Sequence, residues 1–127
     1  MKKIFSLLIV LLAASVVMVA KDDGAKITFA ETSHDFGTIK STKGPVSHEF
    51  KLTNTGKAPL VIISVTNGGC GCTTPSFTKA PIPPGKTGYV KITFNPTGRK
   101  GEFNREVSVK SNAGKRVKLR FSGVIVP

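Results

Sequence analysis

The residues best equipped for chemistry are two cysteines set one residue apart, in the stretch Asn67-Gly68-Gly69-Cys70-Gly71-Cys72-Thr73-Thr74-Pro75. They are the only cysteines in the chain. A pair this close can be a redox couple, half of a metal site, or a covalent clip on a loop. On an extended strand, residues i and i+2 lie about 6.6 Å apart, near the ~6.8 Å limit that a disulfide spans. Bonding therefore requires the chain to bend, and Gly71 allows this because it lacks a Cβ. The ring so closed is small, so the entropic gain is smaller than for a bridge across a long loop. In an oxidising compartment the simplest product is a local Cys70–Cys72 bridge at a strand bend, framed by the motif-loop residues Gly69, Gly71 and Thr73.

The competing chemistries need partners. A structural zinc site takes four ligands, of which the pair supplies two. The remaining candidates are the chain's two histidines, His34 and His48. Each shares a strand face with a phenylalanine (Phe36 and Phe50), which is where partly buried, hydrogen-bonded histidines usually sit. Copper(I) suits two thiolates, so metal or redox handling by Cys70 and Cys72 stands as the alternative to a structural bridge. No Cys-x-x-Cys or adjoining helix is present to lower a thiol pKa. No serine, histidine and acid come together in the sequence, and no glycine-rich loop opens a helix to cradle phosphate. The expectation is a protein that is not an enzyme, with no cofactor, no resident metal and no small-molecule substrate.

The elements that must carry these residues read as strands. Val46, His48, Phe50 and Leu52 alternate with Ser47, Glu49 and Lys51. The same period of two runs through Tyr89–Phe94, Glu102–Lys110 and Arg116–Phe121. Such alternation means half-buried antiparallel strands. Pro59–Val65 is almost wholly apolar and reads as a strand covered on both faces. Turn signals recur about every ten residues, at Lys43-Gly44-Pro45, Asn54-Thr55-Gly56, Pro83-Pro84-Gly85, Asn95-Pro96-Thr97-Gly98 and Asn112-Ala113-Gly114. The prediction is an all-β chain: one immunoglobulin-like antiparallel sandwich of seven or eight strands over residues 26–127. Antibody-type hallmarks are missing, since the cysteines are neighbours and tryptophan is absent. The core must rest on phenylalanines and branched aliphatics.

Ahead of the sandwich, Lys2 and Lys3 precede an apolar run from Ile4 to Ala20, followed by Lys21, Asp22 and Asp23. This is the layout of a secretory signal peptide over residues 1–20. Retained, it would be the only membrane contact, since about 17 residues is the lower limit for a span. The predicted location is the periplasm or cell envelope of a bacterium. The formal charge of +12, from 19 basic and seven acidic residues, raises nucleic acid as a partner. Export and the lack of a basic aromatic motif argue against it. Lys91, Lys110, Arg116, Lys118 and Arg120 are then candidate contacts to an anionic envelope component or an acidic envelope protein.

The stretches "HDFGTI", "FKLTNTG", "GCGCTTP" and "PPGKTG" together resemble an exported bacterial family known as domain of unknown function 1573. They are similar, more distantly, to the immunoglobulin-like PapD, major sperm protein and ASPM–SPD-2–Hydin domains. The resemblance covers about His34 to Val126 and implies a sandwich outside the cytoplasm. It implies no activity. The functional expectation is a non-enzymatic binding or structural module of the envelope.

Overall fold

A computed structural model describes residues 24–127, so the expected signal peptide lies outside the described residues. Eight strands follow one another: β1 (Ile27–Phe29), β2 (Ser33–Lys40), β3 (Val46–Asn54), β4 (Ile62–Val65), β5 (Thr73–Phe77), β6 (Thr87–Phe94), β7 (Gly101–Ser111) and β8 (Val117–Val126). They form two four-stranded sheets, ordered β1-β3-β6-β5 and β2-β8-β7-β4. The expected immunoglobulin-like sandwich is present, with strand count at the upper end of the prediction.

Alternation explains the layering. Phe50, Leu52, Val90, Ile92 and Phe94 point inward from the first sheet and Phe103, Val107, Val109, Leu119 and Phe121 from the second, all buried. Phe94 stacks on Phe103 across the interface with ring centroids 4.5 Å apart. Burying a side chain of this size is worth about 1.5–3 kcal/mol, so this paired aromatic layer supplies what a disulfide and tryptophan supply in antibody domains.

Two expectations are corrected. The sheets are not wholly antiparallel: β2 runs parallel to β8, with His34 opposite Phe121 and Ile39 opposite Ile125. The three-residue link Ala30–Thr32 does not close a hairpin, because β1 and β2 join different sheets. β1 lies on the edge of the first sheet, the chain steps across to the second sheet, and β2 continues in the same direction. Near its middle β2 has an irregularity between Asp35 and Thr38. There Gly37 takes φ +70° and its N–H donates to Asp35 Oδ1 at 2.8 Å, a local bulge in the strand.

The second correction concerns Pro59–Val65. It is not covered on both faces: β4 belongs to one sheet of a two-layer sandwich, so Ile62 faces the core while Ile63, on the outer face, is 53% exposed. The run is apolar for another reason. Leu60 bridges to Ile82 beside the first sheet, and two residues later buried Ile62 joins the second. The segment ties both sheets together.

Asn54, the last residue of β3, is the polar counterpart of that tie and is fully buried. Its Nδ2 donates to the carbonyls of Ala58 (2.8 Å) and Ile82 (2.9 Å). Its Oδ1 accepts from the N–H of Gly56 at 2.9 Å and of Lys26 at 3.4 Å. One amide thus holds three chain segments, and among the described residues no buried side-chain polar atom lacks a partner.

Candidate functional site

Two clusters of chemically capable side chains sit on this frame. The first is the cysteine loop between β4 and β5. After β4 leaves the edge of one sheet, the chain must cross to the edge of the other, and residues 66–72 make that crossing. Gly68 takes φ +70° and Gly69 φ +80°, a region that glycine enters without a steric penalty. At Gly68 there is a second constraint: a Cβ would lie 2.5 Å from the Glu106 carbonyl oxygen. Asn67 Oδ1 accepts from the Gly69 N–H at 2.9 Å, closing the first turn. Cys70 and Cys72 follow with Cα atoms 5.2 Å apart and their sulfurs bonded. The bend that the strand geometry demanded is present, and Asn95 N–H fastens it to the end of β6 through the Cys72 carbonyl at 2.8 Å.

Cys70 is 8% exposed, while Cys72 is half-buried. Arg99, on the loop between β6 and β7, directs Nη2 at Cys70 Sγ from 3.4 Å. Cys72 Sγ lies 3.7 Å from the hydroxyl of Thr73, the first residue of β5. A bonded pair offers no thiolate to a metal. His34 and His48 do not adjoin it: β6 lies between β3, which carries His48, and β5, which follows the cysteines.

The second cluster was not foreseen as a unit. His34 on β2 and His48 on β3 belong to facing sheets, yet their rings stack with centroids 3.6 Å apart and planes 9° from parallel. Alternation accounts for this. Both positions face inward where the chain has just stepped between sheets, so each imidazole meets the other. The edges are fixed by phenylalanines two residues on: His34 packs on Phe36 at 4.6 Å and His48 on Phe50 at 4.8 Å, both T-shaped. Glu31, in the link between β1 and β2, reaches back so that its Oε1 lies 2.5 Å from His48 Nε2. One ligand atom from each of Glu31, His34 and His48 falls within 4.8 Å of the others. The His34 pKa is lowered from 6.5, chiefly by desolvation and then by repulsion from His48, against the raising influence of Glu31 and Asp35.

The basic residues divide. Lys110, Lys118 and Arg120 lie exposed on the outer face of β7 and β8, with Arg116 just before β8. Lys91 is on β6, in the other sheet, where its register partners are Glu49 and Ser76. Glu106 sits within the cationic face, with Oε2 3.0 Å from Arg120 Nε and Oε1 3.8 Å from Lys118 Nζ. The five residues therefore do not form one patch. Four share a side, and two of those are partly neutralised by one carboxylate.

Residues 27–125 match the model of the family described as "Protein of unknown function (DUF1573)". No curated protein matches the sequence. Among solved structures, a protein of unknown function from Porphyromonas gingivalis W83 aligns with TM-score 0.70 at 16% identity, over 85% of this chain and 50% of that one. The Vibrio cholerae VesB protease aligns with TM-score 0.60 at 15% identity, over 87% of this chain and 34% of the protease. A Bacteroides ovatus GH5 xyloglucanase aligns with TM-score 0.52 at 13% identity, over 80% of this chain and 19% of the enzyme. At such identities the likeness is one of fold, and the chain spans half or less of each of these proteins.

Proposed function

The chain belongs to the DUF1573 family, and on that premise we propose that it is a non-enzymatic binding module of the bacterial cell envelope. Its partner would be an acidic envelope protein or an anionic envelope component, met by the outer face of β7 and β8. The observation that carries this reading is that face: Lys110, Lys118 and Arg120 are all exposed on it, and Arg116 adjoins it. Exposed like charges on one rigid sheet steer an anionic partner and set the salt dependence of its association. The fold comparisons fit such a role without assigning it. The same sandwich forms a third of a protease and a fifth of a glycosidase, so it accompanies unrelated chemistries. The signal-peptide layout of residues 1–20 supports export.

Photocrosslinking in intact cells tests the proposal. A crosslinker at position 118 is expected to capture one recurrent partner. Changing Lys110 and Arg120 to Glu is expected to abolish the capture, and 0.5 M salt to weaken it. A crosslinking pattern at 118 indistinguishable from one placed at Ser76, on the opposite sheet, would overturn it.

A further inference from the structure

We propose that Glu31, His34 and His48 form a binding site for a borderline divalent transition-metal cation of the Zn²⁺ or Cu²⁺ class. The site would have two imidazole ligands, one carboxylate and a position open to water. This inference stands apart from the basic face and from the cysteine loop.

The first observation is the meeting itself. The chain has only two histidines, and the fold stacks them across facing sheets at 3.6 Å with a glutamate against one of them. Tetrahedral coordination at about 2.0–2.1 Å per bond separates ligand atoms by roughly 3.3 Å. The three ligand atoms lie within 4.8 Å of one another; an ion would displace the proton between Glu31 Oε1 and His48 Nε2, now 2.5 Å apart, and move the two atoms outward. Glu31, with a side chain 51% exposed, can swing to admit an ion. The rings stand 9° from parallel, so binding requires the stack to open widely, each ring turning by tens of degrees for both nitrogen lone pairs to converge on one point.

Phe36 and Phe50 pack edge-on against the two rings and give the site an apolar shell on its core side. The donor set then selects the ion. Two imidazoles and one carboxylate suit Zn²⁺ and Cu²⁺, whereas Ca²⁺ and Mg²⁺ need six or more oxygen ligands, or waters in their place. A chain of formal charge +12 repels cations in general, so retention of one here must come from the ligands and not from a diffuse field.

Tag-free full chain, stripped with chelator, is titrated with ZnCl₂ and CuSO₄ by calorimetry while the imidazole ¹⁵N resonances are followed by NMR. The expected result is saturable 1:1 binding in which both histidines shift together. His34→Ala or His48→Ala is expected to lower affinity by about 100-fold, the top of the range reported even for outer-shell changes, and Glu31→Gln by about tenfold. Cys70→Ser with Cys72→Ser leaves the affinity unchanged. Circular dichroism checks each variant, and His34→Gln and His48→Gln replace any alanine variant that fails to fold. Binding no tighter than about 1 mM, equal binding of Mg²⁺, or affinity indifferent to both histidine changes overturns the site.

Discussion

His34 and His48 belong to different sheets and lie ring on ring, 3.6 Å apart and within 9° of parallel. Two imidazoles can occupy that arrangement comfortably only while at least one is neutral. Protonating both would place two positive charges at stacking distance, with one exposed glutamate as the nearest counter-charge. The pair thus makes this corner of the sandwich sensitive to protons.

The sensitivity has a definite sign. His34 carries a folded-state pKa below its unfolded value of 6.5, because burial and His48 disfavour its charge more than Glu31 and Asp35 favour it. Between the folded and unfolded values the unfolded chain binds more protons, so stability rises with pH through that window. The contribution is fully present above about pH 6.5 and is lost as the pH falls toward the folded value. With chelator present, the melting temperature is expected to be flat near pH 7–8 and to decline on acidification. His34→Gln should flatten the decline. A wild-type and variant pair with the same slope below pH 6.5 would remove His34 as the cause.

Asn54→Ala is the substitution expected to damage the fold most among polar residues. The side chain is fully buried and makes hydrogen bonds with Ala58, Ile82 and Gly56 within 2.9 Å. Alanine leaves the Ala58 carbonyl and the Gly56 N–H unsatisfied and strips one of two bonds from the Ile82 carbonyl, which keeps the Leu60 N–H, at about 1 kcal/mol each. The expected cost is about 3 kcal/mol, which for a domain of this size lowers the melting temperature by roughly 12–24 °C. Asn54→Asp keeps the acceptor but loses both donations and is expected to fall close to alanine. Urea denaturation of the three proteins measures this directly.

These two sites show what was legible in the sequence. Alternation exposed the strands because each is buried on one face only, and the glycine and proline turns separated them. The parallel β2–β8 pairing was not legible, since it depends on a three-residue link stepping between sheets and leaves no local pattern. Asn54 read as a turn residue because its four hydrogen bonds reach segments as far away as Lys26 and Ile82. The histidines did carry a signal, in the matching triplets His34-Asp35-Phe36 and His48-Glu49-Phe50. Each histidine could be assigned an inward face, but which residue it would meet there could not. Glu31 sits in a link without periodicity and carried no signal at all. Lys91 was grouped with the β8 cations because alternation tells the outer face of a strand but not which sheet the strand joins.

Gly68→Ala and Gly69→Ala separate two costs that usually come together. Both glycines have positive φ, so each substitution incurs backbone strain of about 1 kcal/mol. At Gly69 nothing lies within 4 Å of an added Cβ, whereas at Gly68 the Glu106 carbonyl oxygen is 2.5 Å away. That carbonyl belongs to the central strand β7 and cannot retreat freely. Gly68→Ala is expected to cost at least about 1 kcal/mol more than Gly69→Ala, read as the difference between their urea midpoints at equal m-value.

The cysteine bridge is expected to matter less for stability than its place in the sequence suggests. It closes a loop of three residues, Cys70 to Cys72, for which the chain-entropy relation gives about 1.5 kcal/mol, against about 3 for a 15-residue loop. The loop is also held independently, by the Asn95 N–H on the Cys72 carbonyl and by Asn67 on the Gly69 N–H. Cys70→Ser with Cys72→Ser should therefore lower stability by no more than about 1.5 kcal/mol, half the cost of Asn54→Ala. The Arg99 guanidinium, 3.4 Å from Cys70 Sγ, adds a chemical test of the same loop. A cation beside a sulfur favours its thiolate, so on reduction Cys70 should alkylate with a pH profile that moves upward in Arg99→Gln. Burial at 8% exposure slows the reaction in both proteins and cancels in the comparison. An unchanged profile would mean that the guanidinium packs on the sulfur without influencing its charge.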